Sequence, residues 1–186
     1  MLAPAHDKMT VEQFLDVYQH IEGKYELVDG VVYAMSGGSA RHASAATRIL
    51  VAFWTRLQGS KCQPFNSDMG LRVDSDTLRY PDIAIYCDPR DLDRDDLDTR
   101  EFRYPKVVIE ILSPTTAKAD RSFKVVEYKT IETVATIVLI DPATQRLEVH
   151  ERRGTDEWLQ RLMPPGSGLE LTDPPLMLTH AEVFGS

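Results

Sequence analysis

Apolar residues recur along this chain with two periods, and the way the periods alternate predicts a mixed α/β architecture. From Ala40 to Gln58, Ala46, Ile49, Leu50, Phe53, Trp54 and Leu57 return at helical spacing, and Gly59 ends the run. A shorter helix is predicted over Thr10–Tyr18, where Thr10 and Gln13 form a capping box ahead of Phe14, Leu15 and Val17. Strands are predicted for Tyr25–Val28 and Val31–Met35, joined by Asp29-Gly30, the strongest short-range hairpin signal. Further strands are expected at Cys62–Phe65, Met69–Val73 and Pro81–Tyr86, and then at Lys106–Leu112, an apolar run with one carboxylate inside it. Ser113-Pro114 stops that run, and a helix is predicted over Lys118–Ile131. Strands at Thr136–Ile140 and Arg146–Glu151 flank the turn Asp141-Pro142. Beyond Trp158 come weak strands separated by Pro164-Pro165-Gly166 and Pro174-Pro175, and a last helical turn at His180–Phe184. No repeat, low-complexity tract or long linker divides the chain, so a single domain over residues 1–186 is expected.

Composition adds little to that picture except through charge. The 186 residues are 42% hydrophobic and 27% charged, ordinary for a globular protein large enough to bury a core. No apolar run has the length of a signal-peptide core or a membrane span, so a cytoplasmic location is expected. Cys62 and Cys87 show no zinc spacing and are too few for a disulfide framework, which predicts two reduced, structural thiols. The net charge of −8 argues against a nucleic-acid partner, because phosphate contacts need Lys and Arg. Between Asp88 and Glu101, however, seven acidic residues stand against three arginines, a net of −4. Half the excess is thus confined to one segment, which reads as a solvated loop or short surface helix and leaves room for a basic face elsewhere.

Two carboxylates occupy places where a carboxylate is a liability. Asp82 opens the strand Ile83–Tyr86, and Glu110 sits inside Val107–Leu112, a run apolar enough to be buried on both faces. A buried carboxylate must meet a cation, a proton or strong donors. The plain reading is a structural ion pair; the alternative is a metal site. A strand with a carboxylate, an acidic loop, a strand with a Glu, then Ser-Pro and a helix would gather two oxygen ligands for Mg²⁺ or Mn²⁺, which keeps several waters for a substrate phosphate to displace.

At these residues the chain resembles a known family. RYPDIAIY, VVIEILSPTTAKADRSFKVVEYKTI and TIVLIDPATQRLEVHERR, with YELVDGVVYAMSGGSARHASAATRIL upstream, are similar to the Uma-two family of restriction-endonuclease-like proteins. The resemblance implies a PD-(D/E)xK nuclease fold: an α/β (α+β mixed) domain with a central mixed sheet flanked by helices, an N-terminal hairpin and a C-terminal β extension. It makes Asp82 the motif's Asp and Glu110 its Glu, holding Mg²⁺ with the backbone carbonyl of Ile111 for phosphodiester hydrolysis of DNA. The motif lysine would stand at Leu112, and its role is transferred to Lys124 on the following helix. Asp120, Lys124 and Tyr128 are spaced i, i+4, i+8 and share one helical face. The family pattern also turns Glu26 and His42 toward the site as accessory groups.

Arg41, Arg79 and Arg121 are the expected nucleic-acid contacts, and with Arg48, Arg72 and Lys118 they would form a positive rim. Pairing of two copies through the apolar tail strands is expected, because two-fold dimers are the commonest oligomers. The rival reading is a catalytically silent nucleic-acid-binding or protein-interaction module on a nuclease fold, to which the missing lysine and the acidic balance both contribute.

Overall fold

The computed structural model describes residues 8–18, 20–93, 98–113 and 120–185, Asp120 by its backbone alone. Helix α1 (Val11–Tyr18) opens on the expected capping box: the Thr10 amide donates to Gln13 Oε1 at 2.8 Å and the Gln13 amide to Thr10 Oγ1 at 3.3 Å. Strands β1 (Tyr25–Val28) and β2 (Val31–Ala34) form the hairpin, with Val28 opposite Val31 across the turn. Asp29 at φ 49° and Gly30 at φ 77° supply the two left-handed positions that a tight two-residue turn requires. Helix α2 (Ala40–Leu57) follows, its first turn capped by Ser39 Oγ, which accepts from the His42 amide at 3.3 Å.

The principal sheet has six strands in the order β11-β10-β9-β8-β6-β3. They are β3 (Gln63–Asn66), β6 (Ile83–Tyr86), β8 (Pro105–Ile111), β9 (Thr136–Asp141), β10 (Arg146–Arg152) and β11 (Trp158–Met163). Within this sheet β8 and β9 are the parallel pair, and the connection between them carries a π-helical turn at Asp120–Lys124 that continues into α4 (Val125–Thr130). The alternation of β8 decides what lies on each face. Ile109 and Ile111 pack with Ile49 and Phe53 of α2, while Val108 and Leu112 pack with Val125 and Tyr128 of α4. Glu110 shares the α4 face and is 3% exposed.

A second sheet, β2-β1-β5-β4-β7, adds β4 (Gly70–Arg72), β5 (Leu78–Arg79) and β7 (Glu101–Phe102). Val11 and Phe14 of α1 close its core against Leu27 and Leu78. The hairpin of β12 (Leu169–Thr172) and β13 (Pro175–Leu178) covers α2 with Leu169, Leu171, Leu176 and Leu178. Helix α5 (His180–Phe184) ends the chain on a capping box between Thr179 and Glu182. Within the acidic segment a short helix, α3 (Pro89–Leu92), buries Asp91, whose carboxylate accepts the amides of Arg103 and Tyr104. One acidic residue of that segment is therefore a loop anchor, where a solvated stretch was expected.

The thiol expectation is corrected. Cys62 and Cys87 form a disulfide. The cause is strand register: β3 pairs with β6 so that Gln63 faces Tyr86, and one step further out the two cysteines stand opposite each other with Cα atoms 4.1 Å apart. Among the described residues, no helix is long and apolar enough to cross a membrane.

Candidate metal and phosphodiester site

Asp82 and Glu110 meet because of the same kind of register argument. The antiparallel pairing of β6 with β8 places Ile83 opposite Ile109, and one residue before β6 that register sets Asp82 across from Glu110 at the sheet's end. Both side chains line a cavity of about 450 Å³ that also takes in His42, Ile111, Ser113 and Lys124. Asp82 is fixed through one oxygen, Oδ2, which accepts the Ile111 amide at 2.7 Å and lies 3.1 Å from His42 Nε2. An ionised carboxylate can only accept, so a hydrogen bond here requires a proton on Nε2. His42 reaches Asp82 because α2 starts at the cavity's rim, and Gly38 keeps the path clear: a Cβ there would lie 2.7 Å from the His42 ring.

Glu110 holds two donors from the opposite face. The Tyr128 hydroxyl donates to Glu110 Oε1 at 2.6 Å, and Lys124 Nζ stands 3.2 Å from the same oxygen. Burial pushes the Tyr128 phenol well above its ordinary value, and the charge of Glu110 and the hydrogen bond to it push the same way, so Tyr128 stays a proton donor. The buried carboxylate is thus compensated by an ammonium and a phenol, as its place in an apolar strand demanded. Lys124 and Tyr128 lie on one face as the i, i+4 spacing predicted; the expectations for the Asp120 side chain and for Lys118 fall outside the described residues.

The donors present fit a hard divalent cation: two carboxylates from adjacent strands and the backbone of Ile111 meet at a cavity wide enough for water and a phosphate. Among the described residues, no group of three or more His, Cys, Asp and Glu side chains is placed to hold a metal ion.

The arginines lie elsewhere than the sequence suggested. Arg79 is no surface cation: it is 5% exposed, forks onto Glu127 at 2.7 and 2.6 Å, and meets Glu26 Oε1 at 3.0 Å. Burial alone would lower its pKa, but the bonds to Glu127 and the charges of Glu26 and Glu127 raise it instead, so it is a locked structural cation. Its place in β5, between the hairpin and α4, removes it from phosphate contact. Glu26 is correspondingly spent on Arg79, and its other oxygen, Oε2, is buried with no hydrogen-bond partner among the described residues. Arg72 is paired with Glu12 and Glu101. Arg41 and Arg48 line a separate depression beside Pro142 and Phe184. Arg121 stands 3.4 Å from Glu148. Instead of an arginine rim, the cavity carries Lys124 and Lys24, the latter bonded to Ser67 at 3.0 Å and paired with Asp68 at 3.4 Å. Lys24 escaped the sequence reading because it precedes β1 in a turn, with no pattern to mark it.

Comparison with known proteins bears on the family and the fold. The family model of Uma2, described as "Putative restriction endonuclease", matches residues 11–179. The chain belongs to that family. Two proteins of Synechocystis sp. are related to it: "Uncharacterized protein slr1290" is 30% identical over 153 residues, covering 82% of this chain and 78% of its own length. "Uncharacterized protein sll1609" is 25% identical over 153 residues, covering 81% and 85%. Among solved structures, the chain is similar to "a putative nuclease belonging to DUF820" from Anabaena variabilis, with a TM-score of 0.71 at 18% identity over 95% of this chain and 97% of that one. At that identity the likeness establishes the shared nuclease-like fold.

Proposed function

We propose that this protein is a Mg²⁺- or Mn²⁺-dependent nuclease that hydrolyses phosphodiester bonds of DNA. The observation that carries the reading is the convergence of Asp82 and Glu110 from adjacent strands on one cavity, with the Lys124 ammonium on Glu110. Asp82, Glu110 and the Ile111 carbonyl would hold the cation, which supplies Lewis-acid polarisation of a phosphate oxygen and makes water a nucleophile at neutral pH. The protein's own groups do the rest. Lys124 donates to a non-bridging phosphate oxygen or to the attacking water, stabilising the charge that builds on phosphorus. Tyr128 and His42 hold the two carboxylates in orientation from behind. Lys24 lines the same cavity, its charge shared with Asp68 at 3.4 Å. The direct test is incubation of the purified protein with single- and double-stranded DNA in Mg²⁺, in Mn²⁺ and in EDTA. Metal-dependent cleavage is expected, and intact substrate under every condition would dispose of the reading.

His42 supplies an intermediate effect. Removing a group that orients a ligand costs roughly 10–100-fold in metal affinity or activity. His42→Ala is expected to weaken Mn²⁺ binding by that order in calorimetry, while His42→Gln, which retains a donor, recovers part of it. Equal affinity in wild type and His42→Ala would show that Asp82 needs no such support.

For assembly we carry a homodimer formed through the tail strands. Strand β11 is an edge of the six-stranded sheet and exposes Leu159 and Leu162 beside its unpaired backbone, a surface that pairing with a second copy would cover. Light scattering at micromolar concentration should give twice the chain mass, and Leu162→Lys should return it to that of one chain. A wild-type monomer removes the assembly without touching the catalytic reading.

A further inference from the structure

Lys124 borders two cavities, and the second has the chemistry of a base-binding slot. Of about 490 Å³, it shares Met35, Ser36 and Lys124 with the first and is bounded by Tyr33 of the hairpin, Phe123 of the π-helical turn and the Glu26–Arg79–Glu127 array. Phe123 is 62% exposed and Tyr33 51% exposed. A single exposed apolar residue calls for no explanation, but here two aromatic rings flank one cavity. One wall is polar and rigid, because Arg79 is held by three bonds to carboxylates, and the partly exposed carboxylates of Glu26 and Glu127 are its acceptors toward the edge of a planar ligand. The volume lies in the range of pockets that enclose a small planar molecule. Phe123 and Lys124 both line this cavity and Lys124 also lines the first, so the slot opens beside the place where a phosphate would be held.

We propose that this cavity is a slot for one unstacked nucleobase adjacent to the phosphodiester that the first cavity would cleave. The inference rests on the nuclease reading and deepens it: a base reaches such a slot only from a single strand or a locally opened duplex. Stacking on aromatic side chains is insensitive to base identity, so the slot reads strandedness before sequence.

The test measures binding separately from cleavage. Fluorescence anisotropy in Ca²⁺ would be recorded for a labelled single-stranded oligonucleotide, a fully paired duplex and an abasic deoxyribose-phosphate strand of the same length. Wild type is expected to prefer the single strand to both. Phe123→Ala and Tyr33→Ala should each weaken single-strand binding by roughly five- to a hundredfold, the range for loss of one stacked base, and leave the abasic strand unaffected. Both side chains are exposed, so neither substitution removes core packing. Unchanged single-strand affinity in both variants overturns the slot; if wild type still cleaves in Mg²⁺, the nuclease reading stands without it. No binding and no cleavage by wild type overturns both. A Phe123→Ala protein that loses a dimer in light scattering yet binds the single strand as before would make this face a contact between copies, and the slot would be overturned.

Discussion

Replacing Glu110 is expected to abolish divalent-cation binding at the site and to reduce DNA cleavage by about a thousandfold or more, since a catalytic metal supplies several kcal/mol of transition-state stabilisation. The surroundings of Glu110 also predict what happens to the fold. A carboxylate buried without partners could be deleted to advantage, but this one accepts from Tyr128 and stands against Lys124. Glu110→Ala leaves a buried phenol without its acceptor and an ammonium without its counter-charge, a loss of roughly 1–3 kcal/mol. Glu110→Gln keeps an acceptor for the phenol but still takes the counter-charge from Lys124, so it should be destabilised less than Glu110→Ala and still fail to bind Mn²⁺. The pair of variants therefore separates lost metal from lost fold: calorimetry with Mn²⁺ reads the first, thermal denaturation in EDTA the second. Metal-dependent cleavage that survives Glu110→Gln at wild-type rate would place the chemistry elsewhere and end the assignment.

The placement of the two carboxylates was legible in the sequence because each breaks a local pattern. Glu110 interrupts an apolar run and Asp82 stands at a strand's mouth, and such positions need a compensating partner whatever the fold. The hairpin and the first helix were legible for a similar reason: Asp29-Gly30 and the Thr10–Gln13 box are local signals that tertiary structure had no cause to override. What could not be read is what depends on register between distant segments. The Cys62–Cys87 bond follows only once β3 is known to pair with β6. Arg79 looked like a surface cation because a two-residue strand such as β5 has no periodicity to show that it is enclosed between the hairpin and α4. The same blindness to long-range pairing hid β7 and the role of Asp91. Arg72, Arg79 and Arg121 were counted without their carboxylate partners, which already claim their charge, while Arg41 and Arg48 line a separate depression.

Replacing Lys124 separates an enzyme from a binding protein on the same scaffold. Leu112, where the motif lysine would stand, is packed in the core against α4, so no cation reaches the cavity from that position. Lys124, directly before α4 on that same face, lines the cavity and is held 3.2 Å from Glu110 Oε1. A group that positions water and offsets developing charge contributes about 10²–10⁴ in rate, and Lys124→Ala should lose that much cleavage with Mg²⁺ or Mn²⁺. Its effect on metal affinity should have the opposite sign. The ammonium competes with a cation for Glu110, so removing it is expected to leave Mn²⁺ affinity intact or raise it. In EDTA the variant should melt lower than wild type, because the buried carboxylate has lost a counter-charge, and added Mn²⁺ should restore more of its stability than it adds to wild type. Lys124→Arg, which keeps the charge but not the compact ammonium, should fall between the two in cleavage. Under the binding-module reading, wild type has no turnover to lose, and both lysine variants match it in every cleavage lane. Lys124→Ala cleaving within a few-fold of wild type would instead leave the enzyme standing and remove Lys124 from its mechanism.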